Sequence, residues 1–510
     1  GRRAGGELLY AGGRHLKLYL RGHDYKYAAE QIMLTLFPGE RPTYPEEPPQ
    51  AGELAAVVSI FRGKVWATGK TVLHHPGGVF SGACRVRIDA AVGQVELDRA
   101  LQKALKLSFY RAATAALGKE PPWGALTGVR PVKIPTKALL RGESPARAEA
   151  ALRETYHVTP TRAALAMDCA RASLAARAGL RADEISLYVG VPFCPTRCAY
   201  CSFVSADVGK SLKLVEPYLE ALFREIEAAG ALLARERLFV RTVYIGGGTP
   251  TTLSAQQLSA LMGRIRAHID LSRCTEYTVE AGRPDTITAG KLAAIRENGA
   301  DRVSVNPQSM EDEVLAAMGR AHTAADILRA YELVRESDIP AVNMDLIAGL
   351  PKDTPKGFRY TLDTVLALDP ANITVHTLAL KKGSRLMSEG GCLPSGGDVA
   401  DMLDYAWQRL RAAGYLPYYL YRQKYMSGSF ENVGWCRPGF ENLYNICMME
   451  ELHTVLALGG GGVTKLVDSE KGRIERITDP KYPYEYIGGI EKIIADKEKL
   501  AEFYAAMEKR

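Results

Sequence analysis

The chain has 510 residues, 47% of them hydrophobic and 24% charged, which suggests about two to four soluble domains that need no disulfide bonds. The net charge of +7 is spread along the sequence without a long run of like charges, which argues against a nucleic-acid-binding arm. No apolar stretch approaches the ~20 residues of a transmembrane helix, and the first residues lack a signal-peptide core, so we expect a cytoplasmic protein.

The first part of the chain mixes strand and helix patterns. A strand near residue 18 precedes an amphipathic helix, two strands joined at a glycine turn follow, and a long helical pattern begins near Val95. These elements predict a small α/β domain at residues 1–118. Residues 119–182 begin with a stretch rich in proline and glycine, which predicts a linker followed by short helices.

From residue 183 onward, six apolar strand-like runs alternate with five helical stretches, which predicts a parallel α/β sheet with right-handed crossovers. We expect it to curl into a partial (β/α)6 barrel over residues 183–385, with its chemistry at the C-terminal ends of the strands. The mixed pattern of residues 386–510 predicts a C-terminal α+β domain. The expected strands are 185–193, 239–247, 276–282, 301–306, 341–349 and 372–380.

Three of the nine cysteines, Cys194, Cys198 and Cys201, fall within "VPFCPTRCAYCSF", directly after the first barrel strand. In a cytosolic protein such a cluster more often binds a metal or takes part in redox chemistry than forms disulfide bonds. A structural zinc site would need a fourth ligand from elsewhere in the chain. A [4Fe–4S] cluster with three cysteines would leave one iron open to a ligand that is not protein.

Glycines and polar residues stand at the ends of the later barrel strands. "YIGGGTP" ends the second strand with three glycines, which allow either close approach to a ligand or a tight turn. The polar residues could bind a ligand or could cap turns. These candidate residues are Gly246, Gly247, Gly248, Thr249, Glu280, Gln308, Arg320 and Asp345.

The spacing CxxxCxxC after the first strand of a βα barrel, with Tyr200 before the last cysteine, resembles the radical S-adenosylmethionine (SAM) superfamily. The resemblance implies that Cys194, Cys198 and Cys201 ligate one [4Fe–4S] cluster whose open iron binds SAM. An electron from the cluster would cleave SAM to methionine and a 5′-deoxyadenosyl radical, which abstracts a hydrogen atom from the substrate.

"GGGTP" resembles the superfamily motif that contacts the methionine part of SAM. The order of Glu280, Gln308, Arg320 and Asp345 is similar to that in oxygen-independent coproporphyrinogen III oxidases and their relatives. There the matching residues contact SAM, so Glu280 is expected at the catalytic centre and in cofactor binding. Tyr188 matches a cofactor-site tyrosine of that group. The chain departs from it at Gly190, where relatives often carry histidine.

The sequences "PWGALTGVRPVKI", "VEAGRPDTI" and "YLYRQKYMSGSFENVGW" resemble the HemZ type within this group. The resemblance implies oxidative decarboxylation of the propionates of coproporphyrinogen III, one or two SAM molecules, a reductant such as flavodoxin or ferredoxin, and a monomer. Methyl transfer with opening of a heme ring, and heme binding by a chaperone, stay open as alternatives. RNA modification is weaker, since no RNA-binding motif is visible and nucleic acid is not an expected partner.

The aromatic run Tyr415–Tyr425 could line a porphyrin site, with Arg422 and Lys424 meeting carboxylates, or could be core. The glycine-rich segment Gly459–Lys465 lacks the ending of a phosphate-binding loop, and in relatives a segment at this place helps to form a second SAM pocket. His376 either faces the barrel interior or, as we expect, is a satisfied core histidine.

Overall fold

The computed structural model describes residues 15–50, 52–88, 93–201, 206–207, 211–380, 384–386, 393–423 and 430–508. The chain forms two compact units. The first comprises Gly1–Met167 with Arg422–Glu431, and the second comprises Asp168–Tyr421 with Asn432–Arg510. Within the ranges described, no helix has both the length and the apolar character needed to span a membrane.

The first unit is built, in its described residues, on a five-stranded sheet with the order β2-β1-β3-β4-β5. β1 pairs in parallel with β2 and β3, whereas β3, β4 and β5 pair antiparallel. The strands are β1 (His15–Arg21), β2 (Arg41–Thr43), β3 (Ala55–Arg62), β4 (Trp66–His75) and β5 (Gly78–Arg87).

Two amphipathic helices, Lys26–Leu36 and Gln94–Leu117, bury apolar faces in the core of this sheet. The longer helix packs so closely on β5 that a Cβ at Gly82 would come within 2.2 Å of the Ser108 carbonyl oxygen. Glycine is therefore required at this position by the helix packing. The N-terminal α/β fold predicted from the sequence is present. The helices that follow are Lys133–Leu140, Pro145–Ala150 and Pro160–Ala178, with a π-helical turn at Ala151–Thr155.

The second unit is built on a sheet that has eleven strands in the described ranges. Its order is β14-β15-β13-β12-β11-β10-β9-β6-β16-β17-β18, and the run from β13 to β16 is parallel throughout. The central strands are β6 (Glu184–Val191), β9 (Phe239–Gly247), β10 (Glu276–Glu280), β11 (Arg302–Ser304), β12 (Ala341–Ala348) and β13 (Asn372–Thr377). All six strands expected from the sequence are present, so the predicted parallel α/β architecture is confirmed.

Helices connect these strands, and their N-termini show why they begin where they do. Ser254 and Gln257 form a capping box, and so do Thr323 and Asp326. In each pair, the side chain of one residue accepts a hydrogen bond from the backbone N–H of the other. The expected helices are confirmed. The helices of this unit are Val215–Glu236, Ala255–His268, Ala289–Glu297, Asp312–Ala317, Ala324–Glu336, Pro355–Leu368, Gly396–Ala412, Leu443–Glu450, Pro483–Gly488, Ile490–Lys497 and Lys499–Glu508.

The residues after 393 add strands at both sides of the parallel run. β14 (Leu416–Arg422) and β15 (Glu431–Cys436) continue the sheet beyond β13, where β15 is antiparallel. β16 (Val455–Leu458) pairs in parallel with β6, and β17 (Val463–Asp468) and β18 (Arg473–Thr478) follow it antiparallel. The C-terminal segment thus flanks the first and the last barrel strand; the domain boundaries expected at 118, 182 and 385 stay predictions.

A buried charge network joins the C-terminal helices to the helix Val215–Glu236. Lys497 Nζ lies 3.2 Å from Glu225 Oε1 and 2.8 Å from Asp479 Oδ2, and all three side chains are at most 3% exposed. Glu225 also accepts hydrogen bonds from the Tyr486 hydroxyl and from the Gly459 N–H, the latter at 2.8 Å. The single ammonium therefore pairs with two buried carboxylates and balances the charge of one; burial, together with the negative charge of Glu225, raises the pKa of Asp479 to about 7 although Lys497 acts in the opposite direction.

We expect Lys497→Met to lower the free energy of unfolding by about 3–5 kcal/mol, because it leaves Glu225 and Asp479 buried without their counter-charge. Lys499→Met is the matched control, since Lys499 is 53% exposed and pairs only with Asp496 at the surface. The control should cost about 1 kcal/mol or less. Urea denaturation of both variants measures this, and equal small losses would contradict the role of the network.

Candidate functional site

The cysteine-rich loop leaves β6 at its C-terminal end, as the sequence predicts. Phe193 and Cys194 form the short strand β7, which pairs in parallel with β8 (Ala206–Asp207). Cys198 is buried, and Cys194 and Cys201 are partly buried. One loop therefore carries three thiols at the edge of the parallel sheet where barrels of this type bind their ligands.

The glycine segment at the end of β9 holds the start of this loop. The Gly248 N–H donates to the Val191 carbonyl at 2.8 Å, and the Thr249 N–H donates to the Phe193 carbonyl at 2.7 Å. The Thr249 hydroxyl lies 3.6 Å from Cys194 Sγ. A Cβ at Gly248 would come within 2.4 Å of the Phe193 carbonyl oxygen. Gly248 therefore lets the cysteine loop approach the adjacent strand end.

The far side of the loop is held by the segment after β11. The Ala199 N–H donates to the Met318 carbonyl at 2.9 Å. Arg320, which is buried, donates through Nη2 to the Tyr200 hydroxyl at 3.3 Å and through Nη1 to the Asn306 carbonyl at 2.7 Å. Arg320 thus contacts the aromatic residue that stands between the second and third cysteines.

Arg283 also belongs to this site. It lies within the stretch "VEAGRPDTI", but it was not among the candidate residues predicted from the sequence. Its side chain is 4% exposed. Nη2 donates to Thr196 Oγ1 at 3.1 Å, and Nη1 lies 3.7 Å from Cys198 Sγ. The available signal was a charged residue three positions after the end of β10, in the same parallel sheet whose first strand leads into the cysteine loop.

The donor set fits an iron–sulfur cluster in chemistry and number, since three thiols lie on one loop with Thr249 and Arg283 directed at two of the sulfurs. The thiols do not stand in a ligating arrangement: among the residues that the structure describes, no three His, Cys, Asp or Glu side chains are grouped so as to hold a metal ion. Cluster ligation by Cys194, Cys198 and Cys201 therefore stays a prediction that rests on the donor set.

Glu280, at the end of β10, lies beside the glycine segment. Its carboxylate accepts a hydrogen bond from the Tyr244 hydroxyl at 2.5 Å, and a Cβ at Gly246 would come within 3.2 Å of it. Burial, together with the negative charge of Asp345, raises the pKa of Glu280 to about 7, although the hydrogen bonds from Tyr244 and from the Gly247 N–H act in the opposite direction. Glu280 can therefore change its charge near neutral pH.

Three stacked tyrosines line the same region. The rings of Tyr244 and Tyr444 are stacked with centroids 4.4 Å apart, and Tyr188 lies parallel to both at 6.4 Å. Tyr444 is the second residue of the helix Leu443–Glu450. The N–H groups of Leu443 and Tyr444 donate to the buried carboxylate of Glu276. Tyr188 was predicted at the site; Tyr244 and Tyr444 were not assigned to it.

Asp345, on β12, belongs to a second polar group. Asn343 Nδ2 donates to Asp345 Oδ1 at 2.8 Å, and His376 Nε2 lies 3.8 Å from Asp345 Oδ2. Burial alone would raise the pKa of Asp345, but the hydrogen bond and charge of His376, with Asn343 and Thr374, bring it below its ordinary value. His376 has this carboxylate as its partner, as expected of a satisfied histidine, but its side chain is 26% exposed and so is not fully buried in the core.

Gln308 adopts a left-handed backbone conformation, with φ of +67°, directly after β11. Its backbone N–H donates to the Asp345 carbonyl at 2.9 Å, and its side chain is buried. Among the described residues, none forms a hydrogen bond with its side-chain oxygen Oε1. The left-handed backbone and this buried amide oxygen are features that ligand-binding residues often share, and the predicted role of Gln308 in binding the cofactor stays a prediction.

The predicted site residues thus form two neighbouring groups. The first group comprises Glu280 at the end of β10, Gln308 after β11, Asp345 on β12 and Tyr188 on β6. In the second group, Arg320 and Thr249 contact the cysteine loop. The glycine segment joins the two groups, because Gly247 bonds to Glu280 and Gly248 bonds to the loop.

Of the two alternatives left open for the C-terminal aromatic run, the structure supports the core. Arg422 is buried, donates through Nη1 to the Leu126 carbonyl at 2.5 Å and lies over the Trp123 ring, so it is not available to substrate carboxylates. Tyr418 and Tyr419 are buried core residues. Lys424 lies outside the described residues.

The glycine-rich segment near residue 460 packs against the first barrel strand. A Cβ at Gly190 would come within 2.9 Å of the Gly460 carbonyl oxygen, so the histidine of relatives would not fit here. The Gly460 N–H donates to the Tyr218 hydroxyl at 2.7 Å. A second SAM molecule at this segment stays a prediction.

Comparison with known proteins agrees with this geometry. Residues 188–365 match the Radical SAM superfamily. The chain is 38% identical over 412 residues to the oxygen-independent coproporphyrinogen-III oxidase-like protein HemZ of Bacillus subtilis, which covers 80% of this chain and 82% of that protein. It is 31% identical over 310 residues to the heme chaperone HemW of Bacillus subtilis, covering 59% of this chain and 77% of that protein.

The solved structure of coproporphyrinogen III oxidase (HemN) from Escherichia coli, a radical SAM enzyme, matches with a TM-score of 0.51 at 25% identity. The match covers 63% of this chain and 72% of that chain. The fold and the site thus define a radical SAM protein, and this superfamily implies a [4Fe–4S] cluster and SAM. Within it, the chain belongs to the HemZ type of the oxygen-independent coproporphyrinogen III oxidase group.

We expect Gly248→Ala to reduce the iron bound after anoxic reconstitution by more than half, because the added methyl group would meet the Phe193 backbone and displace the loop. Gly263→Ala is the control, since a Cβ there meets nothing within 4 Å. Iron analysis and the visible absorption of the cluster report the result. Full loading of the Gly248 variant would show that the contact does not position the cysteines.

SAM binding to the cluster-loaded protein should tighten roughly tenfold between pH 6 and pH 8, because Glu280 loses its proton near pH 7 and then accepts hydrogen bonds through both oxygens. Tyr244→Phe removes a hydrogen bond that lowers the pKa of Glu280, so the midpoint should move to higher pH. Calorimetric titration across this range measures both effects.

Two further variants serve as controls for this titration. Tyr188→Phe keeps the stacked ring and should leave the midpoint unchanged, and Glu280→Gln should leave only the titration of SAM itself. Identical pH profiles for the wild type and Glu280→Gln would contradict the assignment.

Proposed function

We propose that this protein is a radical SAM enzyme that acts on a tetrapyrrole, by oxidative decarboxylation of two propionate groups of coproporphyrinogen III to vinyl groups, giving protoporphyrinogen IX. The observation that carries the proposal is the three-cysteine loop after β6, in the same parallel sheet whose strands β10 and β11 lead to Glu280 and Gln308. The relation to HemZ and HemN supports the substrate class.

The residues at the strand ends suit SAM. Cys194, Cys198 and Cys201 would hold the cluster and leave one iron for SAM. When bound, the cluster and SAM supply the reductive cleavage that generates a hydrogen-abstracting radical. The unsatisfied Oε1 of Gln308 offers a buried hydrogen-bond acceptor, and ionised Glu280 offers another. The stacked rings of Tyr244 and Tyr444 lie next to Glu280, and apolar walls of this kind would limit the access of water to a reactive intermediate.

In the proposed reaction, the two propionates lose the same groups. Each propionate loses one hydrogen atom from the carbon next to the ring, and then loses CO2 and one electron as the vinyl double bond forms. The hydrogen atom goes to the 5′-deoxyadenosyl group, and the electron goes to a one-electron acceptor. A reductant such as flavodoxin or ferredoxin supplies the electron that starts each cycle, and we propose that the protein acts as a monomer.

A second candidate function is heme binding without decarboxylation. The similarity to the heme chaperone HemW, which covers 59% of this chain and 77% of that protein, supports it. A methyl transfer that opens the heme ring is a third outcome that the same cofactors could support.

One anoxic assay separates these functions. Reconstituted protein, reductant and SAM are incubated with coproporphyrinogen III or with heme, and the products are identified by mass spectrometry. We expect the loss of two CO2 per coproporphyrinogen III and formation of 5′-deoxyadenosine. A methylated linear tetrapyrrole would instead establish the ring-opening reaction. Tight heme binding, with neither substrate consumed, would establish the chaperone function and overturn the proposal.

The same assay uses matched cysteine variants. Cys194→Ala should abolish the formation of 5′-deoxyadenosine, because the cluster loses a ligand. Cys274→Ala, which changes a thiol far from the loop in sequence, should leave it intact. Equal activity of the two variants would remove the cysteine loop from the reaction.

A further inference from the structure

Arg283 contacts the cysteine loop at its second thiol, that of Cys198. Its guanidinium lies 3.7 Å through Nη1 from Cys198 Sγ, and Nη2 donates to Thr196 Oγ1 at 3.1 Å. The side chain is 4% exposed. Arginine keeps its charge under these conditions, so the structure places a permanent, buried positive charge beside this sulfur.

Asp285 fixes the orientation of this guanidinium. Its two carboxylate oxygens accept hydrogen bonds from Arg283 Nε at 3.1 Å and from Nη2 at 3.2 Å. Asp285 also lies 3.5 Å from His322 Nδ1. Burial would raise the pKa of Asp285, but the hydrogen bonds from His322 and Arg283 hold it well below its ordinary value, so the carboxylate is ionised.

The network continues to the other end of the loop. His322 Nε2 lies 3.5 Å from Arg320 Nη1, and Arg320 Nη2 donates to the Tyr200 hydroxyl at 3.3 Å. The Arg283–Asp285–His322–Arg320 network therefore contacts both Cys198 and Tyr200. These four side chains come from the segments after β10 and β11, so two strand ends together hold the loop.

We propose that Arg283 is a positioning residue that raises the reduction potential of the iron–sulfur cluster through Cys198, and that Asp285 limits this effect by orienting and partly neutralising it. A hydrogen bond to a ligating sulfur, and a nearby positive charge, stabilise the more negative, reduced cluster. A charged donor in a buried position acts more strongly than an exposed one. This inference rests on the proposed cluster site and does not involve the tetrapyrrole.

The test is a redox titration of the reconstituted protein without substrate. Electron paramagnetic resonance (EPR) measures the amount of reduced cluster at each potential. Four variants are compared with the wild type at matched iron content: Arg283→Gln, Arg283→Lys, Asp285→Asn and Arg273→Gln. Arg273 is the control, since it pairs with Asp183, which precedes the first barrel strand.

In Arg283→Gln, the ratio of reduced to oxidised cluster at a fixed potential should fall about tenfold, which is about 59 mV for a one-electron couple. Arg283→Lys keeps the charge and should show a smaller fall. Asp285→Asn removes the counter-charge and should raise the ratio. The Arg273 variant should match the wild type. A purely structural role of the network would not give shifts of opposite sign.

Unshifted potentials in both Arg283→Gln and Asp285→Asn, or shifts of the same sign, would overturn the inference. If Arg283→Gln does not take up iron, Arg283→Lys and Asp285→Asn are compared instead. Shifts of opposite sign in these two variants support the inference, and unshifted potentials or shifts of the same sign overturn it. A wild-type protein that takes up no cluster would instead overturn the proposed function itself, so the two failures are distinguishable.

Discussion

The hydrogen bonds from Gly248 and Thr249 to the backbone of Val191 and Phe193 are the contacts on which the site depends. They join the end of the second barrel strand to the start of the cysteine loop at the first. A side chain at residue 248 would separate the two segments, because the backbones are in direct contact. The loop thereby acquires a fixed position relative to Glu280, which bonds to the same glycine segment through Gly247.

Charged groups occupy two separate parts of the site. The guanidinium groups of Arg283 and Arg320 lie beside the thiols, with the Asp285 carboxylate bonded to Arg283, whereas the carboxylates of Glu280 and Asp345 lie at the end of β10 and on β12. Thiolate ligands favour positive neighbours, and a sulfonium ligand with an ammonium group favours negative ones. The same separation explains why the pKa of Glu280 is sensitive to Asp345, which lies on its own side.

The sequence predicts most of the second unit, because strand and helix periodicity in a βα repeat is local information. The six barrel strands, their connecting helices and the loop after the first strand follow from it. The contacts of Arg283, Tyr244 and Tyr444 could not be predicted, since they join segments that lie far apart in the chain. Arg422 shows the reverse case: its residue type suggested substrate binding, but its contacts with Leu126 and Trp123 place it in a core.

We propose that Cys194, Cys198 and Cys201 hold a [4Fe–4S] cluster whose fourth iron binds SAM. The most direct test is the EPR spectrum of the reduced, reconstituted protein, recorded before and after addition of SAM. We expect the signal of a reduced [4Fe–4S] cluster that changes shape when SAM binds to the open iron. A cluster signal that SAM leaves unchanged, or the absence of any cluster, would contradict this role of the three cysteines.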